Sequence, residues 1–296
     1  MEKLEKKKIK IDNGEELAYV EVGTGKNTII LVHGNFSSSI HYYPLLSQCP
    51  KDYKMISIDL RGFGDSTYNN RFNTLDELAV DLIDAMNKLN VNDFDLVGWS
   101  LGGGVALKIA ALLGKRVKSL FLIQSASYRG FPIYKKDAKF HNLVGQIYSS
   151  KEELATDPVL VVPMLQAYSA HDKNFVEATF MGTMWNMKRP PEDEVEVYIE
   201  ETMKQRCLVD ADYALANLNM SNFSNLYNLG TNDINKVQCK TLITLATKDL
   251  VVSEFMVKEN INALPNATLK VYEGLGHSLI TDDRERVLND ILEFIK

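Results

Sequence analysis

The sequence predicts an α/β protein: a mostly parallel sheet flanked by helices, interrupted by an inserted, all-helical cap. Three observations carry this. Short apolar runs alternate with helical patterns from Thr28 to Ile123, the alternation then stops for about a hundred residues, and it resumes after Val237. Strands separated by helices pair in parallel and need helices on both faces.

The elements follow in order. "KKIKID" and "LAYVEV" read as an opening antiparallel pair, and "TIILVH" (Thr28–His33) and "YKMISID" (Tyr53–Asp59) as buried strands. "TLDELAVDLIDAMNKL" (Thr74–Leu89) has helical apolar spacing, with Thr74 and Glu77 forming a capping box. "DFDLVGW" is the next strand, "LGGGVALKIAALLG" a helix closed by Gly114, and "VKSLFLI" (Val117–Ile123) the strand after it. From Gly130 to Val237 the pattern reads as helical throughout. In "DPVLVVPMLQAYSA", Asp157 is the expected N-cap and Pro158 the first helical residue. No second strand-rich core appears there, so residues 130–237 are expected to form a cap inserted into a core of 1–129 and 238–296. "CKTLITLA", "SEFMVKENINAL", "TLKVYE" and "DDRERVLNDILEFI" complete the core as strand, helix, strand and helix, with Asp282 and Asp283 expected to start the last helix only as caps.

Composition narrows the class. The 296 residues are 45% hydrophobic and 24% charged with net charge −6, an ordinary globular balance without a basic footprint for nucleic acid. The opening "MEKLEKKKIK" reads as a solvated tail or edge strand. Cys49, Cys207 and Cys239 are few, odd in number and scattered, which fits reduced thiols better than disulfides or a zinc site. No apolar run follows the basic N-terminus and none is long enough for a membrane span. A cytoplasmic protein is expected. Gly23-Thr24-Gly25-Lys26 has the wrong spacing for a phosphate loop, and Gly62-Phe63-Gly64 lacks the third glycine of a dinucleotide site. No cofactor and no metal are expected.

Chemistry concentrates at "LVGWSLGGG" (Leu96–Gly104), where Gly98-Trp99-Ser100-Leu101-Gly102 fits G-x-S-x-G between a strand and a helix. A serine at such an apex sits in a strained backbone, and the glycines remove side chains that would collide. The helix that follows offers unpaired N–H groups to developing negative charge, the Leu101 N–H first among them. A serine hydroxyl also needs a base. Of His33, His41, His141, His171 and His277, only His277 in "YEGLGHSLI" lies on a loop at the carboxyl edge where Ser100 emerges and before the last helix. His33 is expected to hold its own loop by hydrogen bonds. Asp249 in "TKDLVVS" follows a strand at the same edge, and the loop after "VKSLFLI" offers no carboxylate. Ser100, Asp249 and His277 thus occur in the chain order this elbow requires.

Taken together, "VHGNFSSS", "DLRGFGDST", "GWSLGG", "TKDLVVS" and "GLGHS" resemble the α/β-hydrolases with a helical cap, from about Glu15 to the C-terminus. The resemblance implies a second oxyanion N–H from Asn35, and places Phe36 and Trp99 beside the substrate. Haloalkane dehalogenases and epoxide hydrolases share the "HGN" loop but carry Asp at the elbow, against which Ser100 stands. The expected activity is cleavage of a carboxylic ester, lactone or thioester through an acyl-enzyme. C–C or amide hydrolysis uses the same groups, and a non-enzymatic ligand receptor could keep them too. Six of ten methionines (Met164, Met181, Met184, Met187, Met203, Met220) and Trp185 fall in the cap, so an apolar acyl substrate is the expected partner.

Overall fold

Strands buried on both faces set the architecture. The computed structural model describes residues 4–296. Its strands are β1 (Lys7–Lys10), β2 (Glu16–Val22), β3 (Asn27–Val32), β4 (Tyr53–Ile58), β5 (Phe94–Trp99), β6 (Val117–Ile123), β7 (Tyr134–Lys136), β8 (Asn142–Ile147), β9 (Lys240–Ala246) and β10 (Ala267–Tyr272). All but β7 and β8 share one sheet, in the order β1-β2-β4-β3-β5-β6-β9-β10. The pairs β1–β2 and β2–β4 are antiparallel and the remaining pairs parallel.

Alternation along each strand divides the interior into two cores. Ile30 and Val32 of β3 face the helices Leu75–Lys88 and Leu101–Leu113, while Ile29 and Leu31 face the side covered by the helix Arg284–Ile295. The Thr74–Glu77 capping box forms as the sequence indicates. From β3 the chain moves to β4 on one side and to β5 on the other. The carboxyl ends of β3 and β5 therefore flank a topological switch point, where an open parallel sheet leaves a crevice.

Between β6 and β9 the chain is mostly helical, but it does not match the all-helical expectation. It opens with the hairpin β7–β8, paired Tyr134 to Ile147 and Lys136 to Asn142. The reason is local: Asp137 Oδ1 accepts from the N–H groups of Lys139 and His141 at 2.7 and 2.9 Å, closing a turn before a helix can start. Asp157 makes cap-like bonds at the expected place, but the helix begins one turn later. Its Oδ1 accepts from Val159 and Leu160, and the helix proper runs Val162–Ala170 with a proline in its first turn. The helices Lys173–Gly182, Glu192–Met203 and Leu208–Asn217 follow. No helix among the described residues is long and apolar enough to cross a membrane.

The basic opening segment is partly an edge strand, but Lys6 turns inward. Its ammonium lies 2.8 Å from Asp59, 3.1 Å from Asp65 and 2.6 Å from Glu201, with 11% of the side chain exposed. Those three carboxylates stand close enough to hold a metal ion, and the ammonium fills the space. Burial works against the charge on Lys6, but Asp59 and Glu201 outweigh it and hold its pKa above the usual lysine value. One side chain thus ties the opening segment, the core turn after β4 and the cap helix Glu192–Met203.

Lys6→Ala is expected to destabilise the protein by about 2–4 kcal/mol, because it leaves the buried Asp59 carboxylate without its cation. Urea unfolding measures this. A loss below about 0.5 kcal/mol would mean that Lys204, 2.9 Å from Asp65 and 2.6 Å from Glu201, compensates alone.

Candidate active site

Close backbone packing places Ser100. Its φ of +55° is the left-handed region that L side chains avoid, and it is held there by bonds from both neighbours. Ser100 N–H donates to Ile123 O at 3.0 Å, and its carbonyl accepts from Ala126 N–H at 3.2 Å. A Cβ on Gly102 would fall 2.2 Å from Val32 O and 2.4 Å from His33 O, and one on Gly98 would fall 2.6 Å from Gly102 O. The elbow glycines are required by contact.

The loop after β3 packs against this turn. His33 donates from Nδ1 to Gly34 O at 2.8 Å and accepts at Nε2 from Leu60 N–H at 3.0 Å. Burial pulls its pKa down to about 4, so the ring is neutral and structural, as the sequence reading expected. Asn35 is fully engaged by its side chain. Nδ2 donates to Asp212 at 2.7 Å, and Oδ1 accepts from Gln205 at 2.8 Å and from Phe36 N–H at 3.1 Å. Both Asn35 and Phe36 line the cavity above Ser100.

On the other side of the elbow, His277 Nδ1 lies 2.8 Å from Asp249 Oδ2, and both side chains are buried. Asp249 Oδ1 accepts from Val251 and Val252 N–H at 2.6 and 2.9 Å, and Oδ2 also accepts from Gln124 Nε2 at 2.7 Å. Burial alone would raise the Asp249 pKa. The His277 ring and these donors more than reverse that and hold it below the usual aspartate value. Its carboxylate is therefore ionised, and a neutral His277 bonded through Nδ1–H leaves the Nε2 lone pair free. Ser100 and His277 line one cavity, with no hydrogen bond between them among the described residues. Such contacts often tighten only once substrate is bound.

Two expected contacts need correction. Trp99 does not line the cavity: it is 1% exposed, and its Nε1–H donates to the His277 carbonyl at 3.1 Å. Its ring centroid lies 5.8 Å from that of His277, so Trp99 fixes both the ring and the loop of the histidine. Asp282 was expected only to start the last helix with Asp283. Asp283 does cap it, accepting from Arg286 N–H, whereas Asp282 accepts from Gly276 N–H at 2.7 Å and so pins the residue before His277. Leu101 stands as expected at the first turn of its helix, and its side chain is buried.

The sequence reading missed Gln124, Gln205 and Asp212. Gln124 is the first residue after β6, at the same sheet edge, and its Oε1 is locked by Thr244 Oγ1 and Ala246 N–H, both at 2.9 Å. Only its position could have signalled it. Asp212 and Gln205 belong to the cap, where helical spacing gives no register against the core.

The cavity encloses about 280 Å³. Met164, Phe180, Met184 and Leu215 form an apolar wall, while Met181 and Met187 are exposed and Met220 packs in the core. Trp185 packs on Phe180 with ring centroids 4.9 Å apart. Asp212 is the one acidic group in this wall. Burial pushes its pKa up to about 7, the Asn35 hydrogen bond opposing and Asp157 adding to the rise.

Comparison with known proteins identifies the family. The family model for the alpha/beta hydrolase fold matches residues 27–283. A non-heme haloperoxidase of Rhodococcus erythropolis is 26% identical over 288 residues, spanning 96% of this chain and 97% of that protein. Among solved structures, an esterase from Exiguobacterium antarcticum superposes with a TM-score of 0.70 at 18% identity, covering 97% of this chain and 98% of the other. An enol-lactonase from Burkholderia xenovorans superposes at 0.71 with 15% identity and 98% coverage of both chains.

Asp212 generates a test of the site's electrostatics. Its folded pKa is raised, so the stability it contributes is fully present below about pH 4 and is lost as pH rises through about 7. Asn does not titrate. The stability of Asp212→Asn relative to the original protein should therefore climb between pH 4.5 and 8, by on the order of 3 kcal/mol. Paired urea unfolding across that range measures it, and a constant difference would show an ordinary carboxyl.

Proposed function

Because the chain belongs to the alpha/beta hydrolase fold family, we propose that it is a serine hydrolase cleaving a carboxylic ester, lactone or thioester through an acyl-enzyme. The observation that carries this reading is the buried Asp249–His277 pair, which opens onto the cavity that the Ser100 hydroxyl lines. The names of the structural neighbours, an esterase and an enol-lactonase, are in keeping with it.

In the proposed reaction Ser100 Oγ attacks the carbonyl carbon while His277 Nε2 takes the hydroxyl proton. Asp249 keeps the Nδ1–H tautomer and stabilises the imidazolium. The backbone N–H groups of Leu101 and Asn35 hold the negative oxygen of the tetrahedral intermediate. That intermediate collapses as His277 gives its proton to the leaving alcohol or thiol, leaving Ser100 acylated. Water, deprotonated by the same imidazole, then attacks the acyl carbon, releasing the acid and restoring the serine. Trp99, Gln124 and Asp282 touch no reacting atom in this scheme and act as positioning residues. The apolar wall favours acyl chains, each buried methylene adding up to about 0.8 kcal/mol.

Ser100→Ala should lower kcat by on the order of a million-fold with the fold retained, and a fluorophosphonate should label Ser100 alone. Labelling elsewhere, or substantial turnover by the alanine variant, would sink the assignment.

Asp249→Asn keeps the size of the side chain but favours the wrong imidazole tautomer, and should cost up to about 10⁴ in kcat. Asp283→Ala is the control: as a helix cap it should cost about 1 kcal/mol of stability and leave turnover nearly intact. Near-normal kcat in Asp249→Asn would reject its role.

A further inference from the structure

One polar atom in the cavity has no use in hydrolysis. Asp212 sits on the helix Leu208–Asn217, is 6% exposed and lines the cavity. Its Oδ1 is taken by Asn35 Nδ2 at 2.7 Å, but Oδ2 has no hydrogen-bond partner among the described residues. The nearby Tyr168 hydroxyl donates to Gln205 instead, at 3.5 Å. Ile133, Met164, Phe180 and Leu215 on the same wall are apolar. Asp210, two residues earlier, is turned away to Arg71, Tyr68 and Lys151, so those donors serve the other side of the helix. Asp157, which acts on Asp212 through its charge, is itself paired with Lys136 at 2.9 Å. That oxygen is open to the cavity, so a ligand group that donates to it gains a hydrogen bond that no protein group supplies.

We propose that Asp212 Oδ2 is a recognition point for a substrate hydroxyl lying within a few bonds of the scissile carbonyl. The position follows from Asn35, whose side-chain amide holds Asp212 while its backbone N–H is assigned to the oxyanion. The hydroxyl follows from the carboxyl group, which burial leaves close to half-protonated near neutral pH. A hydroxyl can donate to the ionised form and accept from the neutral one, whereas an ammonium suits only the first. This inference rests on the ester-hydrolase reading and deepens it to a substrate class: esters that are apolar except for one hydroxyl near the reacting bond.

Matched esters test it. Ethyl 3-hydroxyhexanoate against ethyl hexanoate places the hydroxyl on the acyl side, and 2-hydroxyethyl hexanoate against propyl hexanoate places it on the alcohol side. In one of the two pairs the hydroxylated ester should be preferred about tenfold or more in kcat/KM. In Asp212→Leu that ratio should fall to one or below, whereas a purely structural role would lower both members together and keep the ratio. Should the leucine variant fail to fold, the original protein still decides the matter with methyl ethers of the same esters. They retain the oxygen but lack the donor, and at pH 8.5, where the Asp212 carboxylate can only accept, should do no better than the deoxy esters. Ratios near one in both pairs, or methyl ethers as good as the hydroxyl compounds, overturn the inference and leave the hydrolase reading intact. Absence of all ester turnover together with no fluorophosphonate labelling of Ser100 overturns both.

Discussion

The contact on which the site depends is between backbones. Gly102 lies against the carbonyls of Val32 and His33 with no room for a methyl group, which brings the elbow after β5 onto the loop after β3. That approach keeps Ser100 at a positive φ, leaves the first turn of the following helix beside the hydroxyl, and brings Asn35 alongside. The strained serine conformation is maintained because the surrounding sheet over-determines it. Shifting either loop would separate the hydroxyl from Asn35, the expected oxyanion donor that the elbow itself does not carry.

The sheet and the placement of Ser100, Asp249 and His277 at its carboxyl edge were legible in the sequence because both follow from local pattern. Apolar runs of five or six residues became β3, β5 and β9, and Ser100, Asp249 and His277 each stand just past a strand or before a helix. The hairpin β7–β8 was not legible because its outward residues are mostly exposed, so burial imposes no alternation on "YKKDAKFHNLVGQI". The partners of the expected residues were hidden for a different reason. Gln124 reaches Asp249, Trp99 reaches His277 and Asp212 reaches Asn35 across sequence separations of 125, 178 and 177 residues. Local patterning carries no information about such pairs. It also misassigned Asp282, whose place beside a helix start resembles a cap while its carboxylate turns back to Gly276.

The cap meets the core through polar contacts as well as apolar ones. Glu201 meets Lys6, Asp210 meets Arg71 and Tyr68, Gln205 and Asp212 meet Asn35, and Asn186 Nδ2 donates to Lys248 O at 2.9 Å. Buried ionic and hydrogen-bonded pairs add little net stability because desolvation offsets most of their attraction, but a mismatched pair is costly. They define one seating for the cap. The apolar wall alone, built of adaptable methionine and leucine side chains, would tolerate several.

The long separations between site partners also bear on how the chain reaches its native state. The loop bearing Ser100 lies about a third of the way along the sequence, whereas β9, β10 and the loops bearing Asp249 and His277 come after the whole cap. Closing the loops between them carries an entropic cost before any contact can form, and topologies dominated by distant pairings fold slowly. The edge β6–β9 is where the two parts of the sheet join, and until β9 docks there β6 presents an unpaired apolar border. On the ribosome that border emerges more than a hundred residues before its partner strand, an interval in which self-association competes with folding.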